Sequence, residues 1–159
     1  MRGSERFTQR ASTAITKAHD AALGMGHSYV GTEHLLLGII REGEGLGARI
    51  LTDNALTDAV LTRMVTETVG RGVPGTPEQG LSPRARHVIE LAAEDANRLG
   101  HCYVGTEHIL MGILREADSA GARIIVAAGH RLPINLVQTL YTCFDNKRMQ
   151  DTINRGGGF

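Results

Sequence analysis

The sequence predicts an all-α protein of eight helices, arranged as two four-helix repeats that are related by a pseudo-twofold axis. The hexapeptide YVGTEH occurs twice, at Tyr29–His34 and Tyr103–His108, 74 positions apart. In both copies apolar residues recur every three to four positions, as they do along one face of an α-helix. No segment shows the sustained alternation that is typical of a half-buried strand. Duplication and helical periodicity together predict the fold class.

The duplication covers most of the chain. When His27–Arg49 is aligned with His101–Arg123, fifteen of the 23 positions are identical. The same offset aligns Arg6–Ile15 with Gly80–Ile89. The alignment divides the chain into repeat one (5–70), a linker (71–80), repeat two (81–144) and a tail or linker (145–159).

The first helix of each repeat begins at a hydroxyl residue. We expect one helix from Thr8 to Leu23 and its counterpart from Ser82 to Leu99. A Ser or Thr side chain can accept a hydrogen bond from an unpaired N–H of the first turn, and proline, here Pro83, is tolerated at the first helical position.

The second helix, TEHLLLGIIRE in repeat one, is almost entirely apolar and is therefore expected to be central and buried. Thr32 is the expected N-cap, and the negative charge of Glu33 suits the first turn. Gly38 and Gly112 occupy matching positions inside this helix and its copy. Because glycine weakens a helix, these residues predict close approach of another helix.

Two further helices complete each repeat. A short third helix follows the glycine-rich EGEGLGARIL and its copy SAGARIIVA, and a fourth begins after Thr57 and, in repeat two, after Pro133.

Composition and motifs argue against several classes of function. Seventeen basic residues balance seventeen acidic ones, whereas nonspecific nucleic-acid binding usually requires a basic surplus. No run of about 18 apolar residues predicts a membrane span. Two isolated cysteines, Cys102 and Cys143, and the absence of a visible signal peptide indicate a reduced, cytoplasmic chain.

The sequence also predicts no catalytic centre and no cofactor. It contains no phosphate-binding GxxxxGK[ST] loop and no evident nucleophile beside a base. His27, His34 and Glu33 are zinc-type ligands in kind, but a Gly-Thr helix start separates the histidines and no HExxH or CxxC is present. We therefore expect no metal, and we interpret His34 and His108 as half-buried, hydrogen-bonded residues that fix the loop to the helix.

Each repeat offers a hydroxyl at one helix start, Thr8 or Ser82, and a carboxylate at another, Glu33 or Glu107. Helix N-termini attract anions, and a carboxylate can bind a guanidinium through two hydrogen bonds. A ligand that carries both groups would satisfy both elements. Spacing alone leaves the alternative open that these are two ordinary helix starts.

Four segments resemble the duplicated N-terminal domain, the Clp N domain, of ClpC-type AAA+ unfoldases: ERFTQRA, GHSYVGTEHLLLGIIREGEG, LSPRARHVIELA and GHCYVGTEHILMGILRE. The resemblance implies eight helices in two repeats and a recognition module without catalysis. Such a module docks adaptor proteins and arginine-phosphorylated substrate proteins and passes them to the AAA+ ring and its ClpP protease. The alternative is a stand-alone regulatory or interaction protein without its own ATPase.

The resemblance also implies two phosphoarginine sites. Carried over onto this sequence, one site pairs Thr8 with Glu33 and the other pairs Ser82 with Glu107, and Arg86 is a basic residue that can meet the phosphate. This chain departs from the family pattern in three places. Ser82 replaces a threonine, Leu81 replaces an aromatic residue, and READSAGA replaces REGEGVAA.

Overall fold

Seven α-helices form the part of the chain that the structure, a computed structural model, describes, residues 6–129. They are α1 (Gln9–Gly24), α2 (Thr32–Glu42), α3 (Leu46–Asp53), α4 (Asp58–Val69), α5 (Pro83–Arg98), α6 (Thr106–Arg115) and α7 (Ala120–Gly129). The eighth helix that we predict after Pro133 and the tail at 145–159 lie outside the described residues. Within the described range no β-strand occurs, so the all-α prediction is confirmed.

The predicted hydroxyl caps are present at both long helices. Thr8 Oγ1 accepts a hydrogen bond from Ala11 N at 3.0 Å, and Ser82 Oγ accepts one from Ala85 N at 3.1 Å. These caps satisfy one of the N–H groups that a helix start leaves without an intrahelical acceptor. Local sequence chemistry therefore sets where α1 and α5 begin.

The central helices α2 and α6 pack their backbones closely against the long helices. A Cβ atom added at Gly38 would collide with the carbonyl oxygen of Ala14 in α1. At Gly112 it would lie 2.8 Å from the carbonyl oxygen of Val88 in α5. The close approach that we inferred from the two glycines is confirmed.

The expectation that Thr32 caps α2 is wrong, because Gly31 is the N-cap and Thr32 is the first helical residue. The hydroxyl of Thr32 has a different partner: it accepts a hydrogen bond from Gly121 N in α7 at 2.9 Å. Reciprocally, Thr106 Oγ1 accepts one from Gly47 N in α3, also at 2.9 Å. Each central helix thus caps the short helix of the other repeat, and both bonds are buried.

Residues 71–80 are not helical, but hydrogen bonds attach them to repeat one. Gly72 N donates to Met25 O at 2.8 Å, and Gln79 N donates to Ser28 O at 2.7 Å. The side chain of Glu78 pairs with His19 on α1. These contacts hold the connection beside the loop that joins α1 to α2.

Candidate ligand-binding pockets

Two pockets form where a long helix of one repeat begins beside the repeated hexapeptide of the other. Ser82 N donates to Val30 O at 2.8 Å, and Thr8 N donates to Val104 O at 2.9 Å. These bonds belong to two isolated parallel bridges, Val30 with Leu81 and Phe7 with Val104. The start of α5 therefore adjoins the start of α2, and the start of α1 adjoins the start of α6.

The first of the two, here called the Glu33 pocket, has a volume of about 500 Å³. Its polar lining includes Glu33, Ser82 and Arg84, and its apolar lining includes Tyr29 and Ala120. The basic side chain of Arg84 is exposed, and its Nε lies 3.9 Å from Glu116 Oε2. This pocket combines a carboxylate, a hydroxyl at a helix start and a cationic side chain.

The second, here called the Glu107 pocket, has a volume of about 210 Å³. Thr8, Arg10 and Glu107 line it, together with Leu46 at the start of α3. Glu107 is only 3% exposed, whereas Glu33 is half-buried. The two pockets thus share a plan but differ in how accessible the carboxylate is.

The pairing of residues that we carried over from the resemblance is wrong. The structure brings Ser82 to Glu33 and Thr8 to Glu107, so each pocket takes one element from each repeat. Arg86 is exposed and lines neither pocket, whereas Arg84 and Arg10 do. Sequence reasoning missed these two arginines, although the 74-residue offset aligns them with each other at the same place in α1 and α5.

Glycine at the N-cap makes room for each carboxylate. A Cβ atom at Gly31 would collide with Oε1 of Glu33, and one at Gly105 would collide with Oε1 of Glu107. The acidic side chains therefore fold back over the helix start, where the dipole and the backbone N–H groups favour negative charge. The GTE part of the hexapeptide builds this arrangement in both repeats.

Partial burial raises the pKa of Glu33 above its usual range. Desolvation is the main cause, and it is opposed by a hydrogen bond from the residue's own backbone and by the nearby ring of His27. A cation that enters the pocket would favour the charged carboxylate and lower this pKa again.

A chain of hydrogen bonds through two histidines holds the loop beside the Glu33 pocket. Gly31 N donates to His34 Nδ1 at 2.9 Å, so the proton of His34 is assigned to Nε2, which donates to His27 Nδ1 at 2.7 Å. His27 Nε2–H then donates to Gly70 O at 2.8 Å. Burial is the main cause that lowers the pKa of His34 to about 4, and His27 and Arg41 add to it.

Repeat two has the same arrangement: Gly105 N donates to His108 Nδ1 at 2.9 Å, and the Nε2 of this ring lies 2.6 Å from His101 Nδ1. The interpretation that His34 and His108 fix the loop to the helix is confirmed. The expectation that they are half-buried is wrong, because both side chains are almost completely buried. Among residues 6–129, no three histidine, cysteine or acidic side chains form a group that could hold a metal ion.

Comparison with known proteins supports this architecture. The family model of the Clp repeat (R) N-terminal domain matches residues 6–128. The chain belongs to the Clp N-terminal domain family. All residues of the two pockets lie inside the matched range.

Relatives of this Clp N domain are much longer proteins. The negative regulator of genetic competence ClpC/MecB of Bacillus subtilis is 44% identical over 120 residues, which are 76% of this chain and 15% of that protein. The chloroplastic chaperone protein ClpC1 of Arabidopsis thaliana is 38% identical over 156 residues, which are 97% of this chain and 16% of that protein. The chain thus spans about a sixth of the length of these relatives.

Solved structures agree with the fold of this Clp N domain. The N-terminal domain of the chaperone ClpD from Arabidopsis thaliana superposes with a TM-score of 0.71 at 26% identity, covering 87% of this chain and 96% of that one. No helix in the described part of the chain is both long and apolar enough to cross a membrane.

Proposed function

We propose that this Clp N domain is the substrate- and adaptor-recognition module of a ClpC-type unfoldase and that it binds proteins marked with phosphoarginine. In this role it has no catalytic activity of its own and passes its cargo to an AAA+ ring and ClpP. The observation that carries the proposal is the composition of the pockets, in which a carboxylate faces a helix start and an arginine.

The chemistry of phosphoarginine suits this composition. Its guanidinium keeps N–H donors that can pair with the carboxylate of Glu33, and charge-assisted bonds of this kind are among the strongest in proteins. Its phosphoryl group carries negative charge, which the first-turn N–H groups of α5 and the side chain of Arg84 attract. Unmodified arginine has only the first of these groups and should bind far more weakly.

Calorimetric titration with free phosphoarginine tests the proposal. A charge-assisted hydrogen bond contributes about 1.5–3 kcal/mol and a neutral one about 0.5–1.5 kcal/mol. We therefore expect Glu33→Gln to weaken binding at its pocket by about 10- to 100-fold, and Ser82→Ala to weaken it by about tenfold or less. Because Glu107 is 3% exposed, Glu107→Gln should remove less of the total heat than Glu33→Gln.

Glu90→Gln, on the exposed face of α5, is the matched control and should bind as the unaltered protein does. Arginine in place of phosphoarginine should give little heat. If the Glu33→Gln and Glu107→Gln double variant, folded as judged by circular dichroism, titrates like the unaltered protein, the proposed function is wrong.

A further inference from the structure

The two pockets differ at one aligned position that borders both. Leu46 is the first residue of α3 and lines the Glu107 pocket, whereas Ala120 is the first residue of α7 and lines the Glu33 pocket. The isobutyl group of a leucine thus projects where the other pocket has a methyl group. The Glu33 pocket, at about 500 Å³, has more than twice the volume of the Glu107 pocket, at about 210 Å³.

The Glu33 pocket extends further than its counterpart toward the loop between α1 and α2 and the end of α4, where apolar side chains lie beside His27 and Ser28. Tyr29 and Val69 line it, and they are 48% and 40% exposed. The hydroxyl of Tyr29 donates to Gln79 Oε1 at 3.3 Å, which directs the ring along the linker. In the reciprocal pocket, Tyr103 is not part of the lining. Apolar side chains of this size that remain accessible beside a polar cleft are typical of a binding surface.

We propose that Tyr29, Val69 and Ala120 form an apolar subsite, which receives an apolar side chain next to the phosphoarginine in a substrate polypeptide. The inference rests on the proposed function, because the subsite and the Glu33 carboxylate line one cavity, so that a peptide bound to the carboxylate lies beside the subsite. Among the residues that the structure describes, no tyrosine or valine lines the Glu107 pocket, and Leu46 occupies the position that Ala120 has in the Glu33 pocket. The Glu107 pocket therefore accepts the modified side chain without selecting its neighbour.

Three ligands test the subsite: free phosphoarginine, a phosphoarginine peptide flanked by leucine, and the same peptide flanked by glycine. Binding is measured by calorimetry in a Glu107→Gln background, so that the Glu33 pocket gives the signal. Burial of one leucine side chain predicts that the leucine-flanked peptide binds about tenfold more tightly than the glycine-flanked one.

Ala120→Leu should reduce this preference to about twofold, because the larger side chain fills the subsite. Val69→Ser, at an exposed position, gives the same expectation without a change in buried packing. Leu46→Ala is the matched control, because it enlarges the other pocket and should leave the preference unchanged.

If free phosphoarginine binds to the Glu107→Gln protein but the two peptides bind with equal affinity, the inference is overturned and the proposed function is not. The inference is also overturned if the preference for the leucine-flanked peptide is unchanged in both Ala120→Leu and Val69→Ser. Sedimentation provides a separate outcome: a dimer that Val69→Ser abolishes, without any peptide preference, assigns the surface to a second copy of the chain. If free phosphoarginine fails to bind, the proposed function is wrong and the subsite fails with it.

Discussion

Each residue from Val30 to His34 makes a different contact, and the same contacts recur 74 residues later. Val30 forms an isolated β-bridge with Leu81, which lies just before α5. Gly31 leaves room for the carboxylate of Glu33, and Thr32 caps the short helix of the other repeat. His34 accepts a hydrogen bond from the N-cap. The hexapeptide is repeated because both halves of the molecule, which the pseudo-twofold axis relates, need these contacts.

The buried histidine predicts acid sensitivity. The pKa of His34 falls from 6.5 to about 4 in the folded chain, so between these values the unfolded chain binds a proton that the folded chain does not. The free energy of unfolding should therefore decrease as the pH falls through this window, by at most about 1.4 kcal/mol per pH unit from this residue. Urea denaturation at a series of pH values measures the slope.

His34→Gln is the informative variant, because a glutamine amide can also accept from Gly31 and donate to His27 but does not titrate. We expect a shallower pH dependence between 6.5 and 4 than in the unaltered protein. Glu33 contributes with the opposite sign, since its raised pKa favours the folded state as it protonates, and this contribution is common to both proteins. Parallel curves for the two proteins would rule out His34 as the source.

At the scale of the single residue, the sequence predicted those contacts that depend on near neighbours. The caps by Thr8 and Ser82 involve an N–H three positions along, so their chemistry can be read locally. The sequence does not reveal the partner of the Thr32 hydroxyl, because that partner, Gly121, is 89 positions away. Arg84 lines the pocket and Arg86 does not. Residues two positions apart lie on different sides of a helix, and the residue types do not reveal which side of α5 borders the pocket.

At the scale of the element, the two mid-helix glycines predict different sensitivities. Alanine at Gly38 would strike the backbone of α1, so we expect Gly38→Ala to lower the free energy of unfolding by about 1–3 kcal/mol despite its better helix propensity. Gly112→Ala should cost less, because Val88 O lies 2.8 Å from the added carbon and needs a smaller shift. Chemical denaturation of both variants gives the order.

Gly24→Ala provides the control for propensity alone, because an added Cβ there has no heavy atom within 4 Å. It should be neutral or stabilising by up to about 1 kcal/mol. A gain in stability from Gly38→Ala would contradict the close approach of α1 and α2, and equal losses at Gly38 and Gly112 would contradict the difference between the two contacts. The sequence indicated this contact because glycine has few other reasons to lie inside a buried, apolar helix.

At the scale of the whole molecule, the repeats are interlocked rather than side by side. In each repeat, an N–H in the first turn of the short helix donates a hydrogen bond to a threonine of the other repeat. Each long helix begins beside the hexapeptide of the other repeat. The duplicated sequence predicted two similar halves but not which half completes which pocket. An offset of 74 residues is compatible both with a contact within a repeat and with a contact across the axis, so the sequence does not determine whether Thr8 lies beside Glu33 or beside Glu107.

Interlocking predicts that neither repeat folds alone. The fragment 1–74 would expose Val30 and the hydroxyl of Thr32, which are buried in the intact protein, and would lose Leu81, the bridge partner of Val30. We expect the fragments 1–74 and 75–159 to be largely unfolded separately, and to regain helical circular dichroism and elute together when they are mixed. The gain should increase with concentration, because association and folding are then one equilibrium.

The intact chain cut in its linker is the control for this experiment. Gly75 lies in a turn where an added Cβ meets nothing within 4 Å, so a protease site inserted there should be cleaved without disturbing the core. The cut protein should keep its helicity and stay associated, because the contacts across the axis do not depend on the linker. Cooperative unfolding of the separate 1–74 fragment would instead show that repeat one is an independent unit, and the crossed pockets would then be an interface between two domains.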